Sequence, residues 1–212
     1  MNYFATGADR ERAQMQYGLR SSVYDCELAA FEPIRRIAIA RLQLEPGTIV
    51  LDVGCGTGLS FEHLQSGIGK NGQIFGIEQC HEMLHLAGAK VAKQGWTNVT
   101  LLDTAAEVTS IAASGDAALF HFTHDVLRNP DAIGKVVQCL RPGARVVAVG
   151  LQWSYPWAWA TNWWVLLAAL HSVTTLEGLN QPWSLLAMHL EELEVSTTLM
   201  GGVFIASGVL KR

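Results

Sequence analysis

The chain has 212 residues, of which 50% are hydrophobic and 16% charged, and its formal net charge is −4. That length suits a single α/β domain over 1–212 with a sizeable core, and the composition excludes an intrinsically disordered chain. The acidic balance argues against a dedicated nucleic-acid binder, which carries a basic surplus.

The N-terminus carries Asp9, Arg10, Glu11 and Arg12 and no apolar h-region, so no signal peptide is read there. Cys26, Cys55, Cys80 and Cys139 form no C-x-x-C pair, which fits a reduced, cytoplasmic protein. Helical patterning begins near Asp9 and continues through Glu27–Leu42, with Leu28, Phe31, Ile34, Ile37 and Ile39 as the core-facing stripe and Pro33 in the first turn. Residues 1–44 are read as an N-terminal helical lid. Strands are expected at Thr48–Val53, Gln73–Glu78, Asn98–Asp103, Asp116–Thr123 and Arg145–Leu151. Helices are expected between them at Leu59–Gln65, His81–Gln94 and Asp131–Leu140, with Arg141-Pro142-Gly143 as a turn.

From Val146 to Leu176 there is no Asp, Glu, Lys or Arg. The stretch is long enough to span a bilayer, but Gln152, Ser154, Tyr155, Pro156, Thr161 and Asn162 interrupt it. It reads as the last parallel strand followed by an apolar helix, with no transmembrane span. A helix at Trp183–Glu192 then precedes Glu194–Met200 and Val203–Leu210, which read as a hairpin across Gly201-Gly202. Alternating strands and helices imply parallel β-α-β units in an open sheet.

The most informative run is Ile49-Val50-Leu51-Asp52-Val53-Gly54-Cys55-Gly56-Thr57-Gly58, a buried strand entering a loop almost free of side chains before a helix. A dinucleotide fingerprint needs G-x-G-x-x-G, and here Leu59 occupies the last position. No Gly-Lys-Ser/Thr follows, so a P-loop is excluded as well. The G-x-G-x-G run resembles motif I of the class I S-adenosyl-L-methionine (SAM)-dependent methyltransferases. Cys139–Gly150, "CLRPGARVVAVG", resembles that family's L-x-P-G-G entry to the fifth strand, with Ala144 in place of the second glycine. The chain looks like the small bacterial methyltransferases of the ubiquinone/menaquinone-biosynthesis type, with specific motifs over Glu45–Gly150.

The resemblance implies a Rossmann-like α/β fold with seven strands in the order 3-2-1-4-5-7-6, the last strand antiparallel. It implies SAM as cofactor, S-adenosyl-L-homocysteine (SAH) as product and no metal. Gly54, Cys55, Gly56, Thr57 and Gly58 would shape the loop around the methionine moiety, and Asp52 would lie near its amino group. Glu78, with Gln79 beside it, would take the ribose hydroxyls. Asp103, Thr104 and Ala105 would lie at the adenine amino group. Met83 would pack on the adenine face or simply within its helix. Phe120 and Tyr17 complete the cofactor set.

In an open α/β sheet the ligand sits at the carboxyl ends of the strands, near the switch in strand order. His121, His124 and Asp125 fall there, at the end of the fourth strand. His124 is the leading candidate for a general base, with His121 and Asp125 as alternatives and a structural histidine as the competing reading. His81 and His85 have the i, i+4 spacing of a metal pair, but no third ligand is evident and an exposed helix face explains them. Cys55 and Cys80 raise arsenic methylation, which the absence of further cysteine-bearing parts sets aside.

Five tryptophans fall within Trp153–Trp164, and residues 151–183 are read as a substrate cover. Trp153, Trp157, Trp164 and Trp183, with Tyr24 and His124, are the substrate-side candidates; core filling or a dimer contact is the alternative. The favoured acceptor is a small aromatic or heterocyclic metabolite of the kind methylated in secondary metabolism. A phospholipid headgroup approached from the membrane surface is the second reading. A SAM-binding cyclase or regulatory subunit that transfers no methyl is the third. Both a monomer and a homodimer are compatible with the sequence.

Overall fold

A computed structural model of the protein describes residues 28–111 and 114–212. Tyr17 and Tyr24 lie outside the described residues. The strands are β1 (Ile49–Val53), β2 (Gln73–Glu78), β3 (Val99–Asp103), β4 (Gly115–His121), β5 (Leu140–Leu151), β6 (Leu190–Thr198) and β7 (Val203–Leu210). They form one sheet in the order β3-β2-β1-β4-β5-β7-β6. β1 to β5 run parallel, and β7 is antiparallel to both β5 and β6. The expected seven-stranded Rossmann-like topology is therefore the observed one.

Helices cover both faces, so the central strands are apolar along most of their length. One face carries α1 (Glu32–Arg41), α2 (Phe61–Ile68), α3 (His81–Gln94) and α6 (Trp159–Ser172). The other carries α5 (Pro130–Gln138) and the short α7 (Ser184–Ala187). A further single turn, α4 (His124–Leu127), follows β4. Local signals set several boundaries. Asn129 caps α5 by accepting from the Asp131 and Ala132 N–H groups, with Pro130 in the first turn. α3 stops at Gly95, which is left-handed at φ 66°.

Three expectations need correction. On α1 the buried residues are Ile34, Arg35, Ala38 and Ile39, while Ile37 is 48% exposed. A step of 100° per residue puts positions 34, 35, 38 and 39 on one face and turns 37 away, so a guanidinium enters the interior instead of an isoleucine. β5 begins at Leu140, not Arg145: Gly115 pairs with Leu140 and Ala117 with Arg145, so Arg141-Pro142-Gly143 bulges within the strand. The helix after Trp183 ends at Ala187, and β6 starts at Leu190 with an irregularity between Glu191 and Glu194, where Glu192 has φ 53°. The uncharged stretch folds as β5 and the 14-residue α6, and among the described residues no helix is long and apolar enough to cross a membrane.

Candidate cofactor and acceptor site

The glycine loop folds back on the end of β2. The N–H groups of Gly54 and Cys55 both donate to the Ile77 carbonyl, at 2.8 and 3.0 Å. Gly54 is left-handed at φ 69°, and a Cβ there would meet Thr123 Cγ2 at 2.4 Å. A Cβ on Gly58, at φ 73°, would meet the Phe61 ring at 2.5 Å. Only glycine combines this backbone with these approaches. Thr57 and Cys55 are buried, and burial pushes the Cys55 thiol well above its usual range.

Glu78 stands at the end of β2 and closes the loop. Its carboxylate accepts from the Gly56 N–H at 3.0 Å and the Cys80 N–H at 2.8 Å. Burial raises its pKa, and these N–H groups oppose the rise. Glu78 is in register with Asp103 at the end of β3, and the Thr104 N–H donates to the Glu78 carbonyl. Asp103 is half exposed and pairs with His81 Nδ1 at 2.8 Å, which raises the histidine's pKa. Gln79 is half-buried beside Glu78, and Ala105 is buried. Met83 is buried within the α3 packing, and Phe120 belongs to the core on the opposite face of the sheet from Asp52 and His121. Among the described residues no group of three His, Cys, Asp or Glu side chains could hold a metal.

The ends of β1 and β4, where the strand order reverses, hold a concentration of unsatisfied polar atoms. Seven buried side-chain atoms among the described residues have no hydrogen-bond partner. Five of them are Arg35 Nε, Asp52 Oδ2, His121 Nε2, Thr123 Oγ1 and His124 Nδ1. Folded proteins rarely leave such atoms unpaired, and Arg35 acts electrostatically on both Asp52 and His121, which marks a place suited to a polar ligand. Burial raises the Asp52 carboxyl to about 7, with Arg35 pulling it down and Glu78 pushing it further up. Burial lowers His121 to about 3 and His124 to about 4, so both imidazoles are neutral at pH 7. His124 Nε2 faces the Glu177 carbonyl at 3.1 Å; a carbonyl only accepts, so Nε2 carries the proton and Nδ1 is left as an acceptor. Phe122 follows β4 at φ 58°, the kind of strained backbone that collects at functional sites.

Arg35 went unread in the sequence because it lies in an apolar helical stretch beside a second arginine. It is 2% exposed and pairs with Glu32, which also meets His63 and Arg36. Thr123 gave no sequence signal beyond its place beside His124. Asp125 has a structural partner: its carboxylate accepts from the Thr174 N–H at 3.2 and 3.3 Å. With the His124–Glu177 bond and an Arg128–Ser184 bond of 2.9 Å, this clasps residues 173–184 over α4.

The tryptophans divide. Trp164 stacks on Phe31, Phe31 meets Phe122 edge-on, and Phe122 meets His121, an aromatic chain from α6 to the end of β4. Trp153 is half-buried and lines a groove of about 540 Å³ with Trp159 and Trp163. Trp157 is 78% exposed and, among the described residues, stacks on Tyr155 alone. Trp183 packs on Phe204 in the core of the opposite face, so the structure does not bring it together with the others.

The orphaned Asp52 oxygen, the side-chain-free loop and the strand-end carboxylates suit a ligand bearing an ammonium, a carboxylate and ribose hydroxyls, as SAM does. Residues 50–143 match the protein-family profile described as a methyltransferase domain. The chain is 25% identical over 156 residues to demethylmenaquinone methyltransferase of Lactococcus lactis, covering 70% of this chain and 62% of that enzyme. Across the first curated relatives it matches, the chain spans 36 to 62% of their length. Among solved structures it resembles the N-methyltransferase NodS of Bradyrhizobium japonicum in complex with SAH, at TM-score 0.69 and 17% identity over 94% of this chain and 100% of that one. It also resembles the [4+2]-cyclase SpnF, at TM-score 0.71 and 15% identity over 98% of this chain and 99% of that one. Residues 50–143 are thus similar to a methyltransferase domain, and the chain shares its fold with SAM-dependent methyltransferases.

Proposed function

We propose that the protein transfers the methyl group of SAM to a small apolar or aromatic acceptor held at the end of β4. The observation that carries this reading is the set of five unsatisfied buried polar atoms on α1, the end of β1 and the segment ending β4, with Thr123 lying against Gly54 of the glycine loop. SAM supplies an already activated methyl, so the protein's tasks are to hold two partners in line and to exclude water. Asp52, once ionised, pairs with an ammonium. Glu78 accepts from ribose hydroxyls, while Asp103, Thr104 and Ala105 border the adenine.

His121 and His124 are neutral at pH 7, and His124 offers its Nδ1 as a hydrogen-bond acceptor. With pKa values of about 3 and 4 they are weak bases, better suited to orienting an acceptor O–H or N–H than to removing its proton outright. His124 Nδ1 is the better placed, because Nε2 is already fixed by Glu177. The Trp164–Phe31–Phe122 chain supplies an apolar wall that favours a planar acceptor.

The test is SAH formation by the full chain in a panel of small aromatic and heterocyclic hydroxyl, amine and carbon acceptors. Turnover with a member of the panel, lost in His124→Ala while SAH still binds, supports the reading. SAM binding without turnover on any acceptor removes methyl transfer and leaves a SAM-binding protein of another kind.

A further inference from the structure

A surface helix ordinarily turns a polar face to water. α6 does not. Its buried face is Thr161, Val165 and Ala169, and its opposite face presents Trp159, Trp163 and Leu167 at i, i+4 and i+8, exposed by 77%, 61% and 52%. Trp157, on the loop before the helix, is equally bare. Beside them the turn between β6 and β7 holds Leu199 and Met200 at φ 48° and 52°, with Met200 80% exposed. Two consecutive non-glycine residues in the left-handed region cost about 1–2 kcal/mol each. That strain is retained at a tip whose side chains point an apolar group into water.

The surface is built rather than loose. Asn162 accepts from the Ser154 N–H at 2.8 Å and donates to the Tyr155 carbonyl. The Ser154 hydroxyl donates to the Met200 carbonyl at 2.7 Å, and the Gln152 amide donates to the Gly201 carbonyl at 2.9 Å. These bonds lock the loop, the helix start and the hairpin turn into one face. It lies at the carboxyl end of β5, the end of the sheet that also carries the candidate site.

We propose that this face docks on the interfacial region of a zwitterionic lipid bilayer, with Trp157, Trp159, Trp163 and Met200 inserted among the headgroups. Tryptophan favours that region, where an apolar ring and a polar N–H are both accommodated. Charge decides the lipid class. Val146–Leu176 contains no Lys or Arg to recruit anionic lipid and no acid to be repelled by it, in a chain of net charge −4. Area argues against a second copy as occupant. A stable protein interface engages roughly 20–30 residues a side, several times the handful of apolar side chains here. The inference is independent of methyl transfer; it places whatever the site takes within reach of a membrane.

The test is co-sedimentation of the full chain with phosphatidylcholine vesicles, read also by the tryptophan emission maximum. Wild type is expected to pellet with the vesicles and to shift its emission to the blue. Binding should persist when salt rises from about 0.1 M to about 1 M, which cuts the Debye length from ~10 Å to ~3 Å. Trp159→Ser and Met200→Ser should each weaken partitioning about tenfold or more. Circular dichroism and SAH binding monitor folding of both variants. Three outcomes overturn the proposal: wild type remaining in the supernatant, binding only to anionic vesicles at low salt, or a dimer without lipid that Trp159→Ser dissociates.

Discussion

Gly54→Ala tests whether the glycine loop is shaped as described. Two costs combine. A non-glycine residue at φ 69° loses about 1–2 kcal/mol. The new methyl also falls 2.4 Å from Thr123 Cγ2, and overpacking of that kind costs about 1–3 kcal/mol. Thr123 is β-branched and has little rotamer freedom with which to retreat. The expected loss is about 2–5 kcal/mol in urea unfolding, with SAH affinity falling at least tenfold as the loop shifts. Thr123→Ser deletes the obstructing methyl. In the Gly54→Ala background it should recover the steric part, about 1–3 kcal/mol, and leave the backbone part. The reasoning is refuted if Gly54→Ala costs less than about 1 kcal/mol, or if the two substitutions add within the ~0.5 kcal/mol expected of independent sites.

Asp52, with its carboxyl raised to about 7 from the usual 3.8, binds a proton in the folded protein that the unfolded chain has released. Its contribution to apo stability therefore falls as pH rises from about 4 to about 7, and urea titrations of Asp52→Asn should lack that component. SAM affinity should move the other way, rising with pH through 7 in wild type and staying flat in Asp52→Asn by calorimetry. His124 has the opposite linkage: lowered to about 4, it resists protonation in the fold, so stability is lost as pH falls below 6.5. His124→Asn should make that acid limb shallower in the same titration, leaving the share that His121, lowered to about 3, contributes. Arg128→Ala removes the bond to Ser184 and the guanidinium lying against Gly178, and limited proteolysis should then cut within residues 173–184 several-fold faster.

Legibility in the sequence followed the physical signal. Asp52, Glu78 and Asp103 each follow a short run of β-forming residues bounded by turn signals, so their places at strand ends were readable, and the sheet order came with the resemblance. Boundaries failed where a bulge intervenes. Pro142 and Gly143 look like a turn, yet pairing across Gly115–Leu140 continues the strand past them. Arg35 was missed because composition makes an arginine an exposed residue, and only tertiary packing shows the acids and imidazole that surround it. Trp183 was grouped with the other tryptophans by residue type, but α7 carries it across the sheet. His124 was found by position alone; its fixed Nε2 and free Nδ1 depend on Glu177, 53 residues away.

The central claim, a SAM site closed by Glu78, is tested most directly by calorimetric titration of SAH into wild type and Glu78→Gln. The carboxylate holds the Gly56 and Cys80 N–H groups and would take the ribose hydroxyls, and a hydrogen bond to a charged group contributes about 1.5–3 kcal/mol. Wild type should give saturable one-to-one binding, and Glu78→Gln should bind about 10- to 100-fold more weakly with its fold intact. Absence of binding in wild type, or equal affinity in the two proteins, would contradict the account.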